Sequence, residues 1–145
     1  MLRRMSLLAG TALAAGTIAG LTVGSAGAAP QGLAIQQAPN IGITVSGSQV
    51  TGGFSALLQA LPAADQATTV SLDTTKKACA TNLRDARVAI SWRNPSAGKA
   101  GSKVFPACGQ ATLATGPGRV SFTTTVLGKG DRTFTVTPGS GSFLR

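Results

Sequence analysis

The sequence predicts an all-β domain: an immunoglobulin-like β-sandwich with one disulfide, preceded by a signal peptide. Three observations point there. From Ala67 onward, short runs alternate apolar and polar residues and are broken by Gly, Pro, Asn and Ser clusters. The only two cysteines, Cys79 and Cys108, bracket the strongest of these runs, Ala86 to Trp92, which ends in the only tryptophan. Residues 1–28 have the three-part build of an export signal.

That signal reads from its first residues. Met1-Leu2-Arg3-Arg4 is a short basic start, Met5 to Val23 carries no charge, and Ser25-Ala26-Gly27-Ala28 supplies the small residues a signal peptidase accepts, with the cut after Ala28. No cysteine lies near the cut, so a lipid-modified start is not expected. After cleavage no transmembrane segment is expected, and the mature chain is a single domain's length. Arg3-Arg4 is compatible with twin-arginine export, but Ser6 stands where that signal usually has an aromatic, so the route stays open.

Residues 29–40 are polar, contain Pro39 and read as a flexible leader; the sandwich is expected over 41–145. Ile41 to Val45 alternates as a strand, and Ser46-Gly47-Ser48 is turn chemistry. The segment 54–61 is ambiguous: Phe54, Leu57, Leu58 and Leu61 fall on one helical face, yet the run is short and Pro62 ends it. Thr68 to Leu72 alternates again. In the next strand Val88, Ile90 and Trp92 take one face and Arg87, Ala89 and Ser91 the other, which predicts a largely buried Trp92. Asn94-Pro95-Ser96-Ala97-Gly98 is a turn, and Lys103-Val104-Phe105 begins the return. Gln110 to Thr115 is a further short strand. Val120 to Val126 and Phe134 to Val136 read as a hairpin, and Ser142-Phe143-Leu144 closes a sheet edge. The count is about seven or eight strands, the spacing of a sandwich.

Two cysteines in an exported chain are expected to pair. Trp92 lies 13 residues after Cys79 and 16 before Cys108, too close to the second cysteine for the immunoglobulin pattern, and the chain has no tyrosine for a tyrosine corner. The bridge is therefore expected to tie the segment before the Trp92 strand to the segment after its hairpin partner.

Several chemistries are missing. With no histidine there is no Ser/His, Cys/His or His-metal centre. With no glutamate, a carboxylate pair would require two of Asp65, Asp73, Asp85 and Asp131 to converge. Ser102 and Lys103 are strand neighbours that face opposite sides, and no glycine-rich turn has the Lys-Ser/Thr and helix of a phosphate loop. No enzymatic activity and no cofactor is expected. Six aromatics are too few to suggest nucleic-acid recognition by stacking.

Charge is the remaining signal. Two of the 13 basic residues fall in the signal, leaving 11 against four acids, a net +7, and all 11 lie from Lys76 onward. Such a protein outside the cell concentrates near anionic wall polymers or lipid headgroups. Arg87, Arg93, Lys99, Lys103, Arg119 and Arg132 are the candidate anion-binding residues. The expected function is binding or display at the cell envelope. The alternatives are carriage of a small apolar ligand between the sheets and, third, a small exported hydrolase.

Ile90-Ser91-Trp92-Arg93-Asn94, Thr115-Gly116-Pro117-Gly118-Arg119-Val120 and Pro138-Gly139-Ser140-Gly141-Ser142-Phe143, with the signal peptide and the Ala/Gly/Thr-rich composition, resemble small exported β-rich proteins of actinobacteria. The resemblance implies a secreted or wall-associated β-protein; most of that group have no assigned activity, so it transfers no site. The mature start Ala29-Pro30 and the size are also similar to the chromophore-carrying apoproteins of that phylum, whose second disulfide this chain lacks.

Overall fold

The computed structural model describes residues 29–128 and 133–145. The signal peptide expected over 1–28 and the candidate residue Arg132 lie outside the described residues.

Ten strands form among the described residues, more than the sequence suggests: β1 (Ile35–Ala38), β2 (Asn40–Ser46), β3 (Gln49–Pro62), β4 (Thr68–Asp73), β5 (Arg87–Asn94), β6 (Lys99–Pro106), β7 (Gln110–Leu113), β8 (Arg119–Leu127), β9 (Thr133–Thr137) and β10 (Gly139–Leu144). Among the described residues a 3-10 turn (Ala64–Gln66) joins β3 to β4, and one short α-helix, α1 (Lys76–Ala80), stands between β4 and β5, in a stretch where the sequence signal is β throughout. Thr75 caps it, its Oγ1 accepting the Ala78 N–H at 3.1 Å.

All the strand pairs are antiparallel. A front sheet runs β1-β10-β8-β5-β6, and a back sheet runs β9-β2-β3-β4-β7. The two meet where β8 and β9 share a single pair, Leu127 with Phe134. The expected hairpin over 120–136 is thus joined only at its tip end, because β9 crosses to pair with β2.

The ambiguous segment 54–61 lies within β3. Phe54, Ala56, Leu58 and Ala60 alternate inward while Ser55, Leu57 and Gln59 are exposed. The leader expected over 29–40 is tied down in its second half: β1 pairs with β10, and Asn40 is buried at the start of β2. Glycine clears the way for β1, since a Cβ on Gly141 would come within 2.9 Å of Gln37 Cα.

The core lies between the sheets. Val70 of β4, Val88 and Ile90 of β5 and Val120 of β8 are fully buried members of it, and the rings of Phe122 and Phe143 lie 6.1 Å apart. Each such aliphatic side chain contributes about 1.5–3 kcal/mol by leaving water.

Two buried asparagines satisfy backbone where the strands leave gaps. Asn94 Nδ2 donates to the carbonyls of Thr115 and Pro117, both at 2.9 Å, and its Oδ1 accepts the Ala97 N–H of the β5–β6 turn. Asn40 Nδ2 donates to Thr124 O at 2.8 Å and its Oδ1 accepts from Thr135 Oγ1 at 3.0 Å, which stitches the front sheet to the back one beside the sparse β8–β9 pairing.

Cys79 and Cys108 form the disulfide, with Cα atoms 5.8 Å apart. It ties α1, ahead of the Trp92 strand, to the turn that follows β6, the hairpin partner of that strand. Trp92 itself is partly buried and packs against the core, on the face it shares with Val88 and Ile90. Its neighbour across β6 is Gly101, and β6 is the last strand of the front sheet, so no further strand covers the indole on that side.

Candidate functional site

Alternation on the front sheet sorts its residues into two faces. Val88, Ile90, Val120, Phe122 and Val126 point into the core. The outer face is built by the intervening positions, and the cross-strand register arranges them in rows. One row runs Gln36, Ser142, Ser121, Arg93 and Ala100 across β1, β10, β8, β5 and β6; the next runs Ala38, Ser140, Thr123, Ser91 and Ser102. The result is a field of small hydroxyls with few bulky side chains.

Three of the candidate arginines stand on this face. Arg93 is opposite Ser121, and Arg119 is two residues from Ser121 on the same side of β8. The two guanidinium-bearing residues are therefore diagonal neighbours, with Cα atoms about 7–8 Å apart. Arg119 Nη1 donates to Ser142 Oγ at 3.5 Å, and Ser121 Oγ donates to Arg93 O at 3.4 Å. Arg87 shares the face but sits six residues from Arg93 along β5, about 20 Å away. A shallow depression of about 460 Å³ opens between the two rows, edged by Ser91, Arg93, Ala100, Ser121 and Thr123 and floored by the strands at Trp92, Gly101 and Phe122.

Among the described residues the face lacks opposing charge. Of the described aspartates, Asp65 lies in the β3–β4 connection, Asp73 in β4 and Asp85 before β5, so none belongs to a strand of the front sheet. Arg87, Arg93 and Arg119 are exposed, and no carboxylate pairs with any of them among the described residues. Unpaired cations on one surface sum to a positive potential. Guanidinium groups set among hydroxyl donors suit the oxygen atoms of phosphate, sulfate or carboxylate.

The structure does not bring all six candidates together. Lys99 pairs with Asn94 and Lys103 with Ile90, both inward residues, so the two lysines stand on the inner side of β6, away from Arg87, Arg93 and Arg119. Lys103 Nζ donates to Thr112 O at 3.1 Å and spans from β6 to β7. Sequence reasoning missed the hydroxyls, Ser91, Ser121 and Thr123. Their signal is the polar half of the alternation in β5 and β8.

A second cleft, of about 480 Å³, lies between β3 and α1, with Phe54, Leu57, Asp73, Ala78 and Leu83 among its lining residues. Among the described residues no three metal-ligating side chains gather, and no helix is long and apolar enough to cross a membrane.

Comparison of the chain with protein-family models, with curated proteins and with solved structures gives no match.

Proposed function

We propose that this is a non-catalytic, secreted or cell-envelope-associated protein that binds anionic envelope polymers or lipid headgroups through the outer face of its front sheet. The observation that carries the reading is the diagonal pair Arg93–Arg119 on a hydroxyl-rich face that holds no carboxylate among the described residues. On this reading the guanidinium groups contact anionic oxygens, the Ser and Thr hydroxyls contact the neighbouring polar atoms, and the flat sheet lets a long polymer lie across several strands. The disulfide and the signal-like start at residues 1–28 support an extracytoplasmic setting. The two packed sheets, with a tryptophan on the β5–β6 hairpin, support an immunoglobulin-like description of the sandwich whose disulfide is placed in its own way.

The test is charge reversal on the face. Arg93→Glu with Arg119→Glu should lower retention on purified wall polymer and on anionic vesicles at least tenfold. The same reversal at Lys76 and Lys77, which lie in α1 and in no strand of the front sheet, should change it little. Equal losses from both pairs would mean that net charge alone is at work.

A second reading, carriage of a small apolar ligand, is favoured by the cleft lined by Phe54, Leu57, Ala78 and Leu83. It predicts that an apolar fluorophore binds the protein and is released by Leu57→Arg.

A further inference from the structure

We propose that the free edge of β6 accepts an extended acidic peptide as an added strand, at a site separate from the arginine face. Three features of the edge support this. β6 pairs with β5 alone, in unbroken register over eight residue pairs, so the N–H and C=O groups on its other side are not used by a strand. Residues 99–104 are all exposed, and the strand holds no proline before Pro106. Proteins blunt such an edge with charged side chains, above all lysine, or with a bulge, a proline or a cover; here Lys99 and Lys103 guard it against its own kind, and no bulge interrupts residues 99–104.

The inner side of the edge has a defined side-chain pattern. Lys99, Gly101 and Lys103 share it, because their partners Asn94, Trp92 and Ile90 point inward. The Trp92 indole lies against Gly101 so closely that a Cβ there would be 3.1 Å from Cζ2 and 3.2 Å from Nε1. Thr44 Oγ1 is the one buried side-chain polar atom among the described residues that lacks a hydrogen-bond partner, so the indole N–H, which also has none there, reaches solvent. No carboxylate pairs with Lys99 or Lys103 among the described residues; Lys103 Nζ spends one N–H on Thr112 O and, being exposed, keeps two for an incoming carboxylate.

An added strand reads this pattern with a period of two. The residue opposite Gly101 meets the indole edge, and those two positions to either side meet Lys99 and Lys103. The preferred sequence is therefore acidic-x-apolar-x-acidic, with main-chain hydrogen bonds holding the peptide and the alternate side chains giving selectivity. A second copy of this strand is a poorer occupant in the centred register, since antiparallel pairing about Gly101 sets Lys99 against Lys103 twice, and like charges directly opposite are destabilising. An anionic glycan offers charge but no amide ladder.

The probe is the blocked peptide Thr-Glu-Thr-Val-Thr-Glu-Thr, added to the full exported chain, with three comparison ligands: the same peptide with Lys for Glu, the Glu peptide N-methylated at alternate residues, and dextran sulfate. Binding is followed by the fluorescence of Trp92, the only tryptophan, and by amide hydrogen exchange at residues 99–103. The Glu peptide should shift the emission and slow exchange across this stretch. The Lys and N-methylated peptides should bind at least tenfold more weakly, and Lys99→Glu with Lys103→Glu should reverse the charge preference. The proposal is overturned if the Glu peptide leaves exchange at 99–103 unchanged or if N-methylation has no effect. It is equally overturned if dextran sulfate alone protects the stretch, or if the protection is present without peptide in a dimer. The N-methylated comparison uses the unaltered chain, so it decides the matter even where the double variant fails to fold.

Discussion

Gln37 uses both ends of its side-chain amide on one residue of the opposite sheet: Nε2 donates to Leu58 O at 2.9 Å and Oε1 accepts the Leu58 N–H at 2.8 Å. A side chain here does the work of a paired strand. β2 ends its pairing with β3 at Ala56, and beyond that point the edge of β3 faces β1, whose own backbone pairs with β10. The amide bridges the gap and links the front sheet to the back one. Gln37→Ala should therefore destabilise the domain by about 1–3 kcal/mol, the cost of leaving two part-buried backbone groups without partners. Gln37→Glu should recover little, because a carboxylate cannot donate to Leu58 O. Urea unfolding of the three proteins checks both statements, and a Glu variant as stable as the parent would contradict the paired geometry.

Gly139 is a second point where the fold leaves no room. A Cβ there would lie 2.5 Å from Thr124 Oγ1 and 3.0 Å from Asn40 N, within the polar seam that joins the sheets. Gly139→Ala should cost about 1–3 kcal/mol by overpacking. Adding Thr124→Ala removes the nearest obstacle and should make the double variant more stable than the two single costs imply. Thermal melts of the four proteins in this cycle measure the coupling, and strict additivity would place the strain elsewhere.

The disulfide closes a loop with a sequence separation of 29. In the chain-entropy model such a loop is worth about 3.5 kcal/mol. The Cys79→Ser, Cys108→Ser protein should lose stability of that order while its β-sheet signal in circular dichroism is retained at low temperature. Loss of the sheet signal under those conditions would mean that the bridge is required for the fold itself.

How far the sequence reveals this structure differs from element to element. The Trp92 strand was legible because Val88, Ile90 and Trp92 alternate with Arg87, Ala89 and Ser91 in a run long enough to show its period. β3 was not, because its inward positions include Ala56 and Ala60 while Leu57 and Leu61 lie between them, so hydrophobicity alone imitates a helix face. β1 was hidden for another reason: Ile-Gln-Gln-Ala shows no strand signal, and what holds it is its pairing with β10 and the reach of Gln37 to a residue 21 positions away. The candidate site divides in the same way. Alternation within β5 is local and put Arg87 outward. The sides taken by Lys99 and Lys103 depend on their register against Asn94 and Ile90, a pairing between strands, and Arg119 joins Arg93 only because β8 lies beside β5.

Export makes a separate prediction. If residues 1–28 act as a signal, mass spectrometry of the protein recovered outside the cytoplasm should find a chain starting at Ala29, to within a residue or two. Recovery with Met1 intact in the membrane fraction would contradict it.

The central claim is that the arginine face binds anionic polymer electrostatically, and retention on purified wall polymer across a salt series tests it most directly. The Debye length falls from about 10 Å at 0.1 M salt to about 3 Å at 1 M. Retention of the parent protein should therefore fall steeply over that range, and Arg93→Glu with Arg119→Glu should already start near the high-salt level. Thermal stability of that variant should be nearly unchanged, since exposed charges contribute at most about 1 kcal/mol each. Retention that ignores salt, or that survives both reversals at low salt, would contradict the account.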